Sequence, residues 1–229
     1  MFYMKLKNLF VAASLFCSVA LFAQEPAATV DAKGGSQTAE LLDMAGSLVK
    51  YGYGTKTAMP LIQAVEIYNR LGVAAETEAK AKESESDAVV AAEAAAKKDV
   101  VSYDPAQLLA DAAKYADGDA NLLALIKAAG EVRGRVGGPA SHTDAVNANS
   151  TDRYTITIRG GEEAIVIVNG DGDTDLDLFI YDENGNFITS DTDSTDNCVC
   201  TFNPRWTGSF TIKIKNYGNV YNRYVLITN

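Results

Sequence analysis

Residues 151–170 read TDRYTITIRGGEEAIVIVNG, and this stretch decides the class of fold. Tyr154, Ile156 and Ile158 alternate with Thr155, Thr157 and Arg159, the two-residue period of a strand with one apolar face. Gly160 and Gly161 turn the chain. Ala164 to Val168 is then a nearly continuous apolar run, which predicts a buried strand. Downstream, Leu176, Leu178 and Ile180 mark one face of the next strand, and Asn184-Gly185 sits at the centre of a turn. Shorter strands are expected around Phe187-Ile188 and over Cys198–Phe202. Phe210, Ile212 and Ile214 alternate with Lys213 and Lys215, and Tyr221 to Thr228 closes the set. About seven short antiparallel strands joined by turns predict a jelly-roll-like β-sandwich over 151–229.

Upstream the period changes. From Thr38 to Gly130 the chain is rich in Ala, Leu, Glu and Lys. Leu41, Leu42, Ala45, Leu48 and Val49 form one helical stripe, ended by Gly52 and Gly54; Leu61, Ala64, Val65, Tyr68 and Leu71 form a second, with Pro60 in its first turn and Gly72 after it. Residues 74–98 combine high helix propensity with few large apolar side chains, predicting a long exposed helix. Asp104-Pro105-Ala106-Gln107 reads as an N-cap with a capping-box glutamine, and Asp119 opens a last helix through Leu122, Leu123, Ile126 and Ala129. A small closed helical bundle over 38–130 follows. Residues 131–150, with Gly, Pro and small polar groups and no period, read as a linker. The expected layout is α+β: an all-α N-terminal domain followed by an antiparallel β-sandwich.

Residues 1 to about 23 carry Lys5 and Lys7 ahead of an apolar run from Leu9 to Phe22, too short to span a bilayer, with the small Ala23 before polar Gln24-Glu25-Pro26. That is the pattern of a cleavable secretory signal, followed by a flexible 24–37, and it predicts an exported, periplasmic or extracellular protein with no transmembrane segment after cleavage. The net charge of −10 opposes binding to nucleic acid or anionic membrane. Beyond the leader only Cys198 and Cys200 are left, and export permits a disulfide between them. Two strand residues apart, they share a face at the upper limit of bridging distance, so a strained bridge and a reduced pair are both open.

The run GDGDTDLDLFIYDENGN, the SDTDSTDN loop, the step Trp206-Thr207-Gly208-Ser209-Phe210 and the last Tyr-containing strand together resemble the bacterial pre-peptidase C-terminal domain, a secreted β-sandwich. The resemblance covers about residues 150–229. It implies that the Gly-Asp-x-Asp-Leu-x-Leu run is a sandwich strand and that this part is non-catalytic. It implies nothing for the helical half.

Asp171, Asp173, Asp175 and Asp177 place four carboxylates in seven residues, which repel one another unless a cation or water screens them. Neither register of an EF-hand loop fits: starting at Asp171 puts Leu176 at the glycine position, and aligning Gly172 there puts Ile167 first. A sandwich-type Ca²⁺ site is the metal reading, with Asp173, Asp175 and Asp177 on one strand face and Asp191, Asp193 and Asp196 approaching from the second loop. The alternative is a solvated acidic face. Phe179 and Tyr181, on the same face, are a candidate ligand surface. The single histidine, His142, falls in the linker, and no nucleophile elbow, phosphate loop, zinc helix or dinucleotide fingerprint is present. The functional expectation is a secreted, non-catalytic binding or accessory protein whose partner is an envelope protein or polysaccharide. A structural envelope or matrix component is the alternative, and a carboxylate-based hydrolase a second one.

Overall fold

The computed structural model describes residues 28–29, 36–75, 80–86, 101–131 and 138–229. The expected leader and residues 87–98 of the expected long helix lie outside them. The layout is α+β, with four helices described in the N-terminal half and two antiparallel-rich sheets in the C-terminal part.

The helices are α1 (Gln37–Thr55), α2 (Ala58–Leu71), α3 (Pro105–Tyr115) and α4 (Ala120–Glu131). Ser36 caps α1 by accepting from the Ala39 amide at 3.4 Å, and Asp104 caps α3 by accepting from the Gln107 amide at 2.9 Å. The Gln107 side chain does not close a capping box; it donates to Asp111 at 3.0 Å. Gly52 and Gly54 do not end α1. It runs on to Lys56, in the left-handed region at φ 52°. Gly52 serves the packing instead, because a Cβ there would press 2.5 Å from Leu61 Cδ2 of α2.

The strands are β1 (Ala28–Thr29), β2 (Ala74–Ala75), β3 (Lys82–Ser86), β4 (Ala140–Val146), β5 (Ser150–Ile158), β6 (Ala164–Gly170), β7 (Leu176–Tyr181), β8 (Phe187–Asp191), β9 (Asn197–Pro204), β10 (Gly208–Asn216) and β11 (Asn222–Thr228). One sheet has the order β1-β9-β6-β11-β4-β2 and the other β3-β5-β10-β7-β8. Their facing sides meet in a core built from Val166, Val168, Leu178, Phe202, Phe210, Ile212 and Leu226, among others.

A second core lies on the outside of the first sheet. Ile165 and Ile167 of β6 and Val225 and Ile227 of β11 pack with Leu42, Val49, Leu61, Val65, Tyr68 and Leu108 of the helices. Thus the apolar run of β6 is covered on both faces, odd positions by helices and even positions by the opposite sheet. The helices are therefore a layer laid on the sheet and not the closed bundle expected from their stripes.

Three further expectations are corrected. Residues 140–146 of the expected linker form β4, paired antiparallel with β11. Ala28–Thr29, in the segment expected to be flexible, pairs with β9. In the expected long helix, β2 pairs with β4 and β3 pairs with β5. Alternation explains β3: Lys82 and Ser84 point inward to Asp152, with Ser84 Oγ donating at 2.7 Å, while Glu83 and Glu85 pair with Arg153 on the outside. Those partners outweigh the helix propensity of Lys-Glu-Ser-Glu-Ser. Among the described residues no helix is long and apolar enough to cross a membrane.

Lys82 holds a polar network at the edge of the sandwich core. Its ammonium lies 2.8 Å from Asp144 and 3.1 Å from Asp152, which is 1% exposed. Tyr224 donates to Asp152 at 2.9 Å and accepts from Tyr154, whose oxygen also lies 3.1 Å from Asp144. Burial pulls the Lys82 pKa down, but the hydrogen bond to Asp144 and the charge of Asp152 outweigh it and leave it raised. Burial likewise pushes Asp144 up, yet the bond from Lys82 and the Ala145 amide hold it below its usual value.

Lys82→Ala leaves Asp152 buried without its cation and is expected to lower stability by about 3–5 kcal/mol, read from urea unfolding monitored by circular dichroism. Because Asp144 is lowered in the folded state, its contribution is present above pH 3.8 and is lost as the pH falls toward the folded value. An acid titration of the parent should show that loss, and Asp144→Asn should flatten it.

Candidate functional site

The aspartates gather at the end of the sandwich reached by α1. Only Asp177 of the first four lies on a strand; Asp171, Asp173 and Asp175 sit in the connection between β6 and β7. The expectation that Asp173, Asp175 and Asp177 share a strand face, and that the whole Gly-Asp-x-Asp run is strand, is corrected accordingly. Asp191 ends β8, and Asp193 and Asp196 lie in the loop to β9.

Several of these carboxylates hold backbone. Asp171 accepts from the Arg223 amide at 3.1 Å, Asp191 from the Val199 amide at 2.8 Å, and Asp193 from the Thr195 amide at 2.8 Å. Asp196, buried, joins the two loops: it accepts from the Gly172 amide at 2.6 Å and from Asn222 Nδ2 at 3.2 Å. Its other oxygen takes the ammonium of Lys50 from α1, which also donates to Asn197. A lysine of the helical layer thereby supplies a cation to the acidic end.

The charge is not fully offset. Asp43 on α1 is raised by desolvation and by Asp191 and Asp193, against the lowering effect of Lys50. Asp175 is raised by desolvation, then by Asp193 and Asp196. Asp177 is raised by desolvation and by Asp175 and Asp191, against a hydrogen bond from Tyr217. Among the described residues, no three His, Cys, Asp or Glu side chains are placed to hold one metal ion together. Asp43 and Lys50 escaped the sequence reading. Their seven-residue spacing puts both on one side of α1, but nothing local says which surface that side meets.

Cys198 and Cys200 are free thiols, both buried and both facing the sandwich core, so the candidate disulfide is not formed. The extended strand between them keeps the sulfurs side by side and not aimed at each other. Burial pushes Cys200 up to about 12 and Cys198 higher still, which leaves them protonated. His142 is on β4, not in a linker, and its Nε2 lies 3.6 Å from Asp144.

Phe179 and Tyr181 are half-buried on the outer face of the second sheet, where none of the described helices packs. Tyr181 meets Phe187 edge-on with ring centres 5.9 Å apart, and Lys213 Nζ stands 4.8 Å over the Tyr181 ring. Tyr53 and Tyr68, by contrast, belong to the helical core, while Tyr51 is exposed.

No family model and no curated protein matches the chain. Among solved structures, the pre-peptidase C-terminal domain of a collagenase from Bacillus anthracis is similar over 39% of this chain and 87% of that one, at 15% identity and a TM-score of 0.35. PliG, a periplasmic inhibitor of g-type lysozyme from Aeromonas hydrophila, is similar over 40% of this chain and 84% of that one, at 13% identity and a TM-score of 0.32.

A raised carboxyl costs stability once ionised, so the penalty at Asp175 sets in as the pH rises above 3.8 and is complete at neutrality. Asp175 is largely solvated, so Asp175→Asn is expected to raise the Tm by only about 1 °C at pH 7 in the absence of divalent ions and to leave it unchanged at pH 2.5. Lys50→Met should act in the opposite sense by stranding Asp196. Thermal melts of both variants at the two pH values check this.

Proposed function

We propose that the protein is an exported, non-catalytic binding protein that engages a protein or polysaccharide of the cell envelope, with Ca²⁺ stabilising its acidic end. The carrying observation is the contrast between its two kinds of functional group. The groups suited to chemistry are engaged in holding the fold: Asp196 with Lys50, Asp144 and Asp152 with Lys82, and the two thiols in the core. The large apolar side chains left at the surface are placed for contact instead: Phe187, Trp206 and Tyr217 on the sandwich, and Met44, Tyr51 and Leu123 on the helical layer.

The donor set at the acidic end suits a hard cation, being all oxygen and rich in carboxylate. No three of these side chains converge on one point, so Ca²⁺ would be held through water, with Asp43, Asp175, Asp191 and Asp193 the charges nearest it. Ca²⁺ would supply charge neutralisation there and relieve the carboxylate repulsion that adds to desolvation in raising Asp43 and Asp175. This role is one of stability; no reaction is assigned to the ion.

Calorimetry of the full chain in millimolar Ca²⁺ and in chelator tests the metal. Binding only to the folded state at 100 times Kd adds about 2.7 kcal/mol, so the Tm should rise by several degrees with Ca²⁺ and less in Asp43→Asn. Equal melting in both buffers removes calcium from the account. Export is checked by mass spectrometry of the fractionated host. Recovery outside the cytoplasm, shortened by about 23 residues, is expected, and a full-length cytoplasmic product overturns the reading.

A further inference from the structure

We infer that the uncovered face of the five-stranded sheet is a binding strip for a linear acidic polysaccharide laid along β10, an inference that rests on the binding role proposed above. Among the described residues, the helices cover the outside of one sheet only. On the other, the outward side chains of β10 include Thr211, Lys213 and Lys215. The register sets Thr211 between Thr155 and Tyr181, Lys213 between Arg153 and Phe179, and Lys215 between Thr151 and Asp177.

Aromatic rings mark the length of this row. Trp206 lies just before β10, with its indole N–H donating to Glu183 at 3.0 Å; Tyr181 and Phe187 touch near the middle; Tyr217 follows its end. Phe187 is 55%, Tyr217 49% and Trp206 36% exposed. The nine residues of β10 span on the order of 30 Å. Each ring is held by an edge contact, a cation or a hydrogen bond, so little freedom is lost on binding.

The chemistry of the row selects the ligand. Trp206 and Tyr217 stand apart at the two ends, with the Tyr181–Phe187 pair between them, an interrupted pattern that suits the C–H faces of successive sugar rings and not the contiguous apolar stripe of an amphipathic helix. Lys213 forms no ion pair among the described residues and is held over Tyr181, while Lys215 stands 4.3 Å over Tyr217. Arg153, next to Lys213, is already committed to Glu83 and Glu85 of β3. Two ammonium groups held up by rings complement carboxylates on the ligand. The chain's net charge of −10 disfavours the much denser charge of a nucleic acid.

Affinity electrophoresis of the full chain in gels containing alginate, polygalacturonate or hyaluronate, with dextran as the neutral control, tests the strip. At least one acidic polymer should retard the protein. The Phe187→Ala/Trp206→Ala double variant should weaken that binding at least tenfold, and Lys213→Gln severalfold, with binding also falling as salt rises. Lys127→Gln, at an exposed position of α4, should leave it unchanged. All substituted side chains are at least partly exposed, and unchanged melting curves verify folding. The inference is overturned by no retardation in any acidic gel, by equal retardation in dextran, by indifference to the strip variants, or by the strip binding a proline-rich peptide in place of the polymers. An exported chain that binds an envelope protein through its helices but none of the polymers defeats the strip alone. A chain retained in the cytoplasm defeats the broader reading.

Discussion

Four aliphatic side chains, Ile165 and Ile167 of β6 and Val225 and Ile227 of β11, point out of a sheet whose other face is already packed. In isolation they would be an apolar patch on the outside of the sandwich. Covering each is worth about 1.5–3 kcal/mol, and the stripes of α1, α2 and α3 need an equivalent surface to bury. The sandwich has its own core between the sheets, but its first sheet lacks a face suited to solvent, and the helices lack the inward side of a bundle. Their contact determines the rest, including which sandwich face is left to solvent and which end α1 brings its charged residues to.

Charge follows from that contact. Once α1 lies on the sheet, Lys50 reaches Asp196, and the chain beyond α2 returns along the sandwich edge so that Lys82 reaches Asp144 and Asp152. Two lysines from the N-terminal half thus pair with Asp152 and Asp196, carboxylates that the sandwich buries. The same approach brings Asp43 close to Asp191 and Asp193, which is unfavourable. The acidic end is therefore partly compensated and partly strained, with the residual repulsion concentrated at Asp43, Asp175 and Asp177.

The two outer faces of the sandwich end up with different tasks. The face of β6 and β11 is consumed by internal packing, which is why β6 is apolar from Ala164 to Val168 and β11 from Tyr224 to Ile227. The face of β5, β10 and β7 alternates strictly, and its outward residues answer to solvent and to whatever binds there. Rings on this side are stacked with lysines and not hidden under helices, so their exposure belongs to the folded state and is no sign of an incomplete core.

Sequence alone determined the strands from Tyr154 onward, the helices around Leu42, Val65 and Leu108, the Asp104 N-cap and the Gly72 stop. These rest on local alternation, helical spacing and capping chemistry, which act over a few residues. Tertiary structure decided what local pattern could not. Residues 82–86 have the composition of a helix and became a strand because Asp152 and Arg153, far along the chain, offered partners for alternate side chains. Residues 140–146 had no period and became a strand because the edge of β11 needed hydrogen bonds. The acidic cluster was legible as a density of Asp, but its true membership, with Asp43 and Lys50 included and Asp173 and Asp175 off the strand, depended on where α1 came to rest. That position is set by apolar surface shared between distant segments, and no short window of sequence contains both sides of such a contact.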